Sequence, residues 1–203
     1  MDHKEIVRAG YNAIPDDYLA ARTTDSADVQ LLDDLVQRLP QGAKILDAGC
    51  GAGVPIARML SHRFQVVGVD FAEAQIELAR QMVPKAQFVV QDLTDLSFSD
   101  ASFDAICSYY AIIHIPREFH EEIVRRFYRV LKPSGLALLC LGADDLEEDM
   151  VEDYLGVRMF WSHFDANTNL KMLTAAGFRI VWSRIVEDAT SPGSGHLFVL
   201  VRK

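Results

Sequence analysis

The stretch 45–53 reads ILDAGCGAG and decides the fold. Ile45, Leu46 and Ala48 give an apolar run suited to a parallel strand buried on both faces, and it leads straight into Gly49, Gly51 and Gly53. Glycines at alternate positions let the backbone turn and remove Cβ atoms that would keep a ligand at a distance. A buried strand ending in such a loop and feeding a helix is the architecture of nucleotide-type cofactor sites. Pro55, favoured in a first helical turn, comes next.

The dinucleotide fingerprint Gly-x-Gly-x-x-Gly is not met, because with Gly49 and Gly51 in its first two places the third falls on Val54. An acidic residue does end the next apolar run. Asp70 in VVGVD lies about 20 residues on, where a carboxylate accepts hydrogen bonds from ribose hydroxyls.

Outward from there, Asp47 precedes the glycines and FVVQDL places Asp92 at the end of a third strand. FDAICSYYAIIHI reads as a fourth strand with its exit loop, and LKPSGLALLC leads into a fifth. In this order and at these intervals the segments resemble the successive motifs of the class I S-adenosylmethionine-dependent methyltransferases, small-molecule type. The resemblance extends over roughly the whole chain, and five ordered motifs are far more specific than one glycine loop. It implies an α/β fold of three αβα layers around a seven-stranded, mostly parallel sheet with an antiparallel last strand, and S-adenosyl-L-methionine as cofactor. At the matched positions it implies that Asp47 and the backbone around Gly49 and Gly51 hold the methionine part, Asp70 the ribose, and Asp92 with the Leu93 amide the adenine edge, with Cys50, a small residue suited to the tight loop, and Phe71 also counted as cofactor-binding. Asp92 also suits a turn or helix cap, and Asp47 a cap of the glycine loop.

With 203 residues, half of them apolar, the chain suffices for one sizeable core in a single domain over 1–203. The expected parts are a helical cap at 1–42, a cofactor-binding core at 43–141, a lid or substrate insertion at 142–177 and a terminal hairpin at 178–203. A net charge of −9 speaks against a nucleic-acid partner, which requires Lys and Arg to neutralise phosphates. Base-modifying relatives carry an Asn- or Asp-Pro-Pro-Tyr-like segment after the fourth strand, where this chain has Ser108, Tyr109, Tyr110 and Ala111. There is neither an apolar run long enough for a membrane span nor a signal-like start, so a cytoplasmic location is expected. Cys50, Cys107 and Cys140 lack metal-ligand spacing and read as reduced thiols, with no metal. The expected partner is a small-molecule acceptor, and a homodimer is left open.

Periodicity gives strands at 44–48, 65–69, 87–91 and 103–108, alternating with helices at 55–62 and 73–82, as a parallel sheet with crossovers requires. A helix at 117–131 precedes a turn at 132–135 and a fifth strand at 136–141. Strands at 178–186 and 196–201 form a hairpin whose mouth includes Ser191, Pro192, Gly193, Ser194 and Gly195. LFVLV at 197–201 is apolar enough for burial on both faces. The acidic run at 144–153 invites a cationic acceptor, but a solvated helix face is the preferred reading.

Methyl transfer needs a base only when the acceptor arrives protonated. His114, after the fourth strand, and His163, among the aromatics of FWSHFD, are the candidate catalytic residues. Glu187 and His196 reach the same sheet edge, where a solvated hairpin mouth is the preferred reading. Of Tyr109 and Tyr110, one is expected to face the cleft, and Tyr109 is assigned to the cofactor. The resemblance also implies that an N-terminal segment with Tyr11, Tyr18 and Arg22 folds over the cofactor, against the alternative of ordinary packing. Two further classes compete: a non-catalytic S-adenosylmethionine-binding module acting through a protein partner, and a nicotinamide-dependent oxidoreductase, which Val54 and the terminal hairpin weaken.

Overall fold

The computed structural model describes residues 2–22, 24–187 and 195–203. Helices α1 (His3–Ala13), α2 (Pro15–Ala21), α3 (Ala27–Gln30) and α4 (Leu32–Arg38) come first. The alternating part follows as β1 (Lys44–Ala48), α5 (Ile56–Leu60), β2 (Gln65–Asp70), α6 (Glu73–Met82), β3 (Gln87–Val90), β4 (Phe103–Ser108), α7 (His120–Val130) and β5 (Leu131–Gly142). Then come β6 (Leu146–Tyr154), β7 (Val157–His163), α8 (Ala166–Ala175), β8 (Arg179–Glu187) and β9 (Gly195–Arg202). Among the described residues no helix is long and apolar enough to cross a membrane.

Seven strands form one sheet in the order β3-β2-β1-β4-β5-β9-β8. The pairings of β1 with β2, β1 with β4, β2 with β3 and β4 with β5 are parallel, whereas β9 runs antiparallel to both of its neighbours. The sheet is covered on both faces. In β5, Leu136, Leu138 and Cys140 face α4, α5 and α6, while Ala137, Leu139 and Leu141 face α7 and α8. β9 divides in the same way, with Leu197, Val199 and Val201 on one side and Phe198 and Leu200 on the other, so LFVLV is buried on both faces. Burying one such side chain fully is worth about 1.5–3 kcal/mol, which makes this central strand pair a major source of stability.

Three boundaries differ from the sequence reading. β5 begins at Leu131 and passes through residues expected to turn, with a register shift between Phe103 and Ala105 of its partner accommodating them. The helix expected at 117–131 opens with a 3-10 turn at Arg117–Phe119 before α7. The acidic run is a strand, not a helix face. β6 pairs with β7 in a separate two-stranded sheet, with Met150 opposite Phe160 and Val151 opposite Met159. Leu155 and Gly156, at φ 54° and 86°, make the tight turn between them. The hairpin mouth at 191–194 lies outside the described residues.

This small sheet has an apolar face of its own. Met159 and Phe160 close over Val7 of α1, and the His3 ring stacks on Phe160 at 4.2 Å. On its other side α1 is tied to α6: Arg8 and Asn12 both donate to the Glu73 carboxylate, and the Ala74 amide donates to Asn12 Oδ1 at 2.9 Å. The N-terminal helix is thereby held between the β6–β7 hairpin and the edge of the main sheet where β1, β2 and β4 end.

Candidate functional site

Because β1, β2 and β4 are parallel, their carboxyl ends open on one edge, the place where ligands bind in open α/β sheets. The loop after β1 is folded over the end of β2: the Gly49 and Cys50 amides both donate to the Val69 carbonyl, at 2.8 and 2.9 Å. Asp70 fixes the same loop, accepting from Gly51 N at 2.9 Å on Oδ2 and from Ala72 N at 3.0 Å on Oδ1. The glycines serve the protein itself first. A Cβ on Gly49, at φ 76°, would lie 2.1 Å from the Ala111 Cβ, and one on Gly53 would lie 3.0 Å from the Phe88 ring.

Below this loop lies a cavity whose space, open mouth and adjoining solvent included, is about 860 Å³. Asp47, Gly49, Cys50, Gly51, Asp70, Phe71, Asp92, Leu93 and Tyr109 all line it, as does His114. Sequence reasoning missed Lys4, Gln75 and Gln91 on the same wall. Nothing local marks Lys4 and Gln75, which arrive from α1 and α6 only once those helices dock, while Gln91 directly precedes Asp92 in the loop after β3. His163 is not on the wall. Its ring sits over Gly142, where a Cβ would meet Nδ1 at 2.1 Å, and Nδ1 donates to the Asp144 carbonyl at 2.8 Å. His163 therefore buttresses the start of the hairpin. Glu187 and His196 do not line the cavity either, although His196 lies edge-on to Tyr110 at 5.0 Å.

The carboxylates of the cavity are in three different states. Asp47 is buried and its Oδ2 has no partner; burial first, and then the charge of Asp70, raises its carboxyl to about 7. Burial also raises Asp70, against the opposing hydrogen bonds of the Ala72 and Gly51 amides. For Asp92, burial is outweighed by hydrogen bonds from Lys4 and Thr94, which hold it below the usual carboxylate range. Asp92 Oδ1 accepts from Thr94 N at 2.7 Å, so the residue does cap the short turn that follows it. Gln75 Oε1 and Gln91 Oε1 join Asp47 Oδ2 as buried, unpartnered acceptors belonging to cavity residues.

The cationic and aromatic side comes from the N-terminal helices and the loop after β4. Arg22, just past α2, places its guanidinium 5.0 Å over the Tyr110 ring and has no salt bridge among the described residues. Tyr110 itself sits at φ 54°, strained for a bulky residue. Tyr109 packs its ring on Phe198 and donates its hydroxyl to the Asp28 carbonyl at 3.2 Å, so its polar end is turned into the fold. His114 is buried, with Nδ1 2.8 Å from the Phe160 carbonyl and Nε2 3.0 Å from the Tyr11 hydroxyl. Burial, against the Phe160 hydrogen bond, lowers its pKa to about 4.

Residues 45–135 match the family model for a methyltransferase domain. The chain is 34% identical over 122 residues to 27-O-demethylrifamycin SV methyltransferase of Amycolatopsis mediterranei, covering 56% of this chain and 44% of that one. It is 35% identical over 104 residues to demethylmenaquinone methyltransferase of Clavibacter sepedonicus, covering 49% of this chain and 41% of that protein. It thus spans less than half the length of these curated relatives. In fold it is similar to the 1,6-didemethyltoxoflavin-N1-methyltransferase of Burkholderia thailandensis, solved with 1,6-didemethyltoxoflavin and S-adenosylhomocysteine bound, with a TM-score of 0.77 and 22% identity over 98% of this chain and 88% of that one.

Proposed function

We propose, from the premise that this chain belongs to the class I S-adenosylmethionine-dependent methyltransferases, that it binds S-adenosyl-L-methionine in the cavity at the ends of β1, β2 and β4 and methylates a small-molecule acceptor. The observation that carries the reading is the set of unsatisfied acceptors: Asp47 Oδ2, Gln75 Oε1 and Gln91 Oε1 are buried without partners around one cavity. Leaving a buried polar atom unpaired costs about 1–3 kcal/mol. A ligand rich in N–H and O–H donors relieves that cost, and the ammonium, ribose and adenine amine of this cofactor supply such donors. Arg22, on the same wall and without a salt bridge among the described residues, suits its carboxylate.

In this reading Asp47 and the loop at Gly49, Cys50 and Gly51 hold the methionine part. Asp70, which still has lone pairs beyond the two amides it accepts from, takes the ribose, and Asp92 with the Leu93 amide takes the adenine edge. When bound, the cofactor supplies a methyl group on a sulfonium for in-line transfer. The chain's own contribution is to align, to exclude water and to receive a proton. Alignment of this kind lowers a barrier by about 7–11 kcal/mol, so strong acid or base chemistry is not required of every step. The helix α1 and the β6–β7 hairpin, clamped together by Val7, Met159 and Phe160, form the lid over the acceptor side. His114, on the cavity wall under that lid, is the base at which the proton ends.

Calorimetric titration of the protein with S-adenosylhomocysteine is the test. Micromolar binding lost in Asp70→Ala supports the reading, and no binding by folded, ligand-free wild type overturns it.

A further inference from the structure

We propose that Tyr11, carried on α1, is the group that takes the acceptor's proton, with His114 as the base behind it, and that the acceptor is therefore a hydroxyl or N–H compound. The proposal rests on the methyltransferase reading and specifies the chemistry of its acceptor side.

A carbonyl only accepts, so the 2.8 Å contact from His114 Nδ1 to the Phe160 carbonyl places the ring proton on Nδ1. In the neutral ring Nε2 then has one in-plane lone pair. The Tyr11 hydroxyl, 3.0 Å away, donates into it. An acceptor in the cavity cannot reach Nε2 directly while Tyr11 is there, but it can reach Tyr11, which lines the cavity and keeps lone pairs to offer.

The step balances without any further reactant. The acceptor's lone pair forms a bond to the methyl carbon as the carbon–sulfur bond breaks, leaving its electron pair on sulfur. The acceptor's proton passes to Tyr11 Oη as the Tyr11 proton passes to His114 Nε2. Tyr11 is regenerated and His114 becomes an imidazolium, one N–H on the Phe160 carbonyl and the other on Tyr11. The positive charge lost from sulfur is thus carried by the ring until the proton leaves to solvent.

The surroundings favour a relay over an ionised tyrosine. Burial raises the Tyr11 phenol well above its ordinary range, with Tyr18, Tyr154 and Asp70 adding to it and Arg22 opposing. The phenol therefore acts only if it hands its proton on. Burial keeps His114 neutral, with His163 and His196 as the other titratable groups acting on it, so its lone pair is available throughout neutral pH.

The test uses the full chain with ¹⁵N-labelled histidine and S-adenosylhomocysteine bound, comparing wild type with Tyr11→Phe. The proposal expects the His114 proton on Nδ1, and an Nε2 resonance that moves toward that of a free imine nitrogen in the variant. In parallel, methyl transfer from S-adenosylmethionine is measured to phenol, which must lose a proton, and to iodide, which has none. Tyr11→Phe is expected to lower kcat for phenol about 10²-fold or more beyond any loss on iodide, with KM changed much less. A proton on Nε2, an unmoved resonance, equal losses on both nucleophiles, or wild type that methylates iodide and not phenol each overturn the proposal. If wild type turns over neither, the tautomer and its dependence on Tyr11 decide. Failure to bind S-adenosylhomocysteine overturns the methyltransferase reading instead, and the tautomer is then read in the ligand-free protein.

Discussion

Lys4 Nζ lies 2.5 Å from Asp92 Oδ2 and 2.9 Å from Thr94 Oγ1, so the first turn of α1 is latched to a carboxylate on the cavity wall. A ligand entering or leaving there requires that latch to open, and it closes again behind the ligand. A partly exposed pair of this kind is worth up to about 1 kcal/mol, a factor of about five in a rate. Lys4→Met is expected to speed both association and dissociation of S-adenosylhomocysteine by up to that factor while changing Kd little. Stopped-flow fluorescence separates the two rates, and unchanged rates would show that α1 does not gate the site.

Asp47 is buried beside Asp70 with an oxygen unpartnered, an arrangement that weakens the empty protein. Its carboxyl is raised from 3.8 to about 7, so the folded state holds a proton that the unfolded state has released between those values. The stability associated with that proton is fully present below 3.8 and is lost as pH rises through 7. At 1.36 kcal/mol per pH unit the loss approaches about 4 kcal/mol as an upper bound. Asp47→Asn removes this dependence. The variant is expected to melt higher than wild type above pH 7, with the advantage vanishing near pH 4, and to bind S-adenosylhomocysteine more weakly at every pH. Thermal melts across pH 4–8 check the first part and calorimetry the second.

Gly49 is constrained twice, by φ 76° and by an Ala111 Cβ that would lie 2.1 Å from its own. Gly49→Ala has to displace the loop after β4, which carries Tyr110 and leads to His114. A cost of about 1–3 kcal/mol for the backbone alone is expected, with the clash adding to it. Denaturant titration gives the stability loss. Gly51→Ala is the comparison, since a Cβ there meets nothing closer than the Tyr18 ring at 3.5 Å, though its φ of 49° is still strained. A larger stability loss in Gly51→Ala than in Gly49→Ala would refute the packing argument.

The sheet was legible because each of its signals is local: the apolar run at Ile45, the acidic tips at Asp70 and Asp92, and the doubly buried LFVLV all declare themselves within a few residues. The site residues on those strand ends were legible for the same reason. The β6–β7 hairpin was not. Leu146, Met150 and Tyr154 recur every four residues and mimic a helical face, while the partners that make β6 a strand, Met159, Phe160 and Trp161, lie across a turn. The local clue was Gly156 after Leu155, both at positive φ, a turn signature outweighed by the acidic composition around it. His163 was placed in the site by its aromatic neighbours, but strand alternation and the absence of a side chain at Gly142 carry it to the hairpin's base instead. Lys4 and Gln75 depend on docking between elements far apart in sequence and leave no local trace, whereas Gln91 adjoins Asp92 at a legible strand end and was passed over beside the carboxylate.

The same turn provides a way to loosen the hairpin proposed as the lid with a substitution outside the cavity wall. Gly156 adopts φ 86°, nothing lies within 4 Å of a Cβ built there, and its amide donates to Asp153 Oδ1 at 3.0 Å. Gly156→Ala therefore adds backbone strain and no clash, at about 1–2 kcal/mol. Because β6 and β7 pair only with each other among the described strands, that strain bears on the hairpin, on α1, which rests on Met159 and Phe160, and on the loop after β4, where His114 and Arg117 bond to Phe160 and Ser162. Hydrogen exchange is expected to speed by about fivefold or more in β6, β7 and the Val7 region of α1, with the amides of β1, β4, β5 and β9 unchanged. Acceleration spreading through the seven-stranded sheet would mean that hairpin and core unfold as one unit, and the lid could not then open on its own.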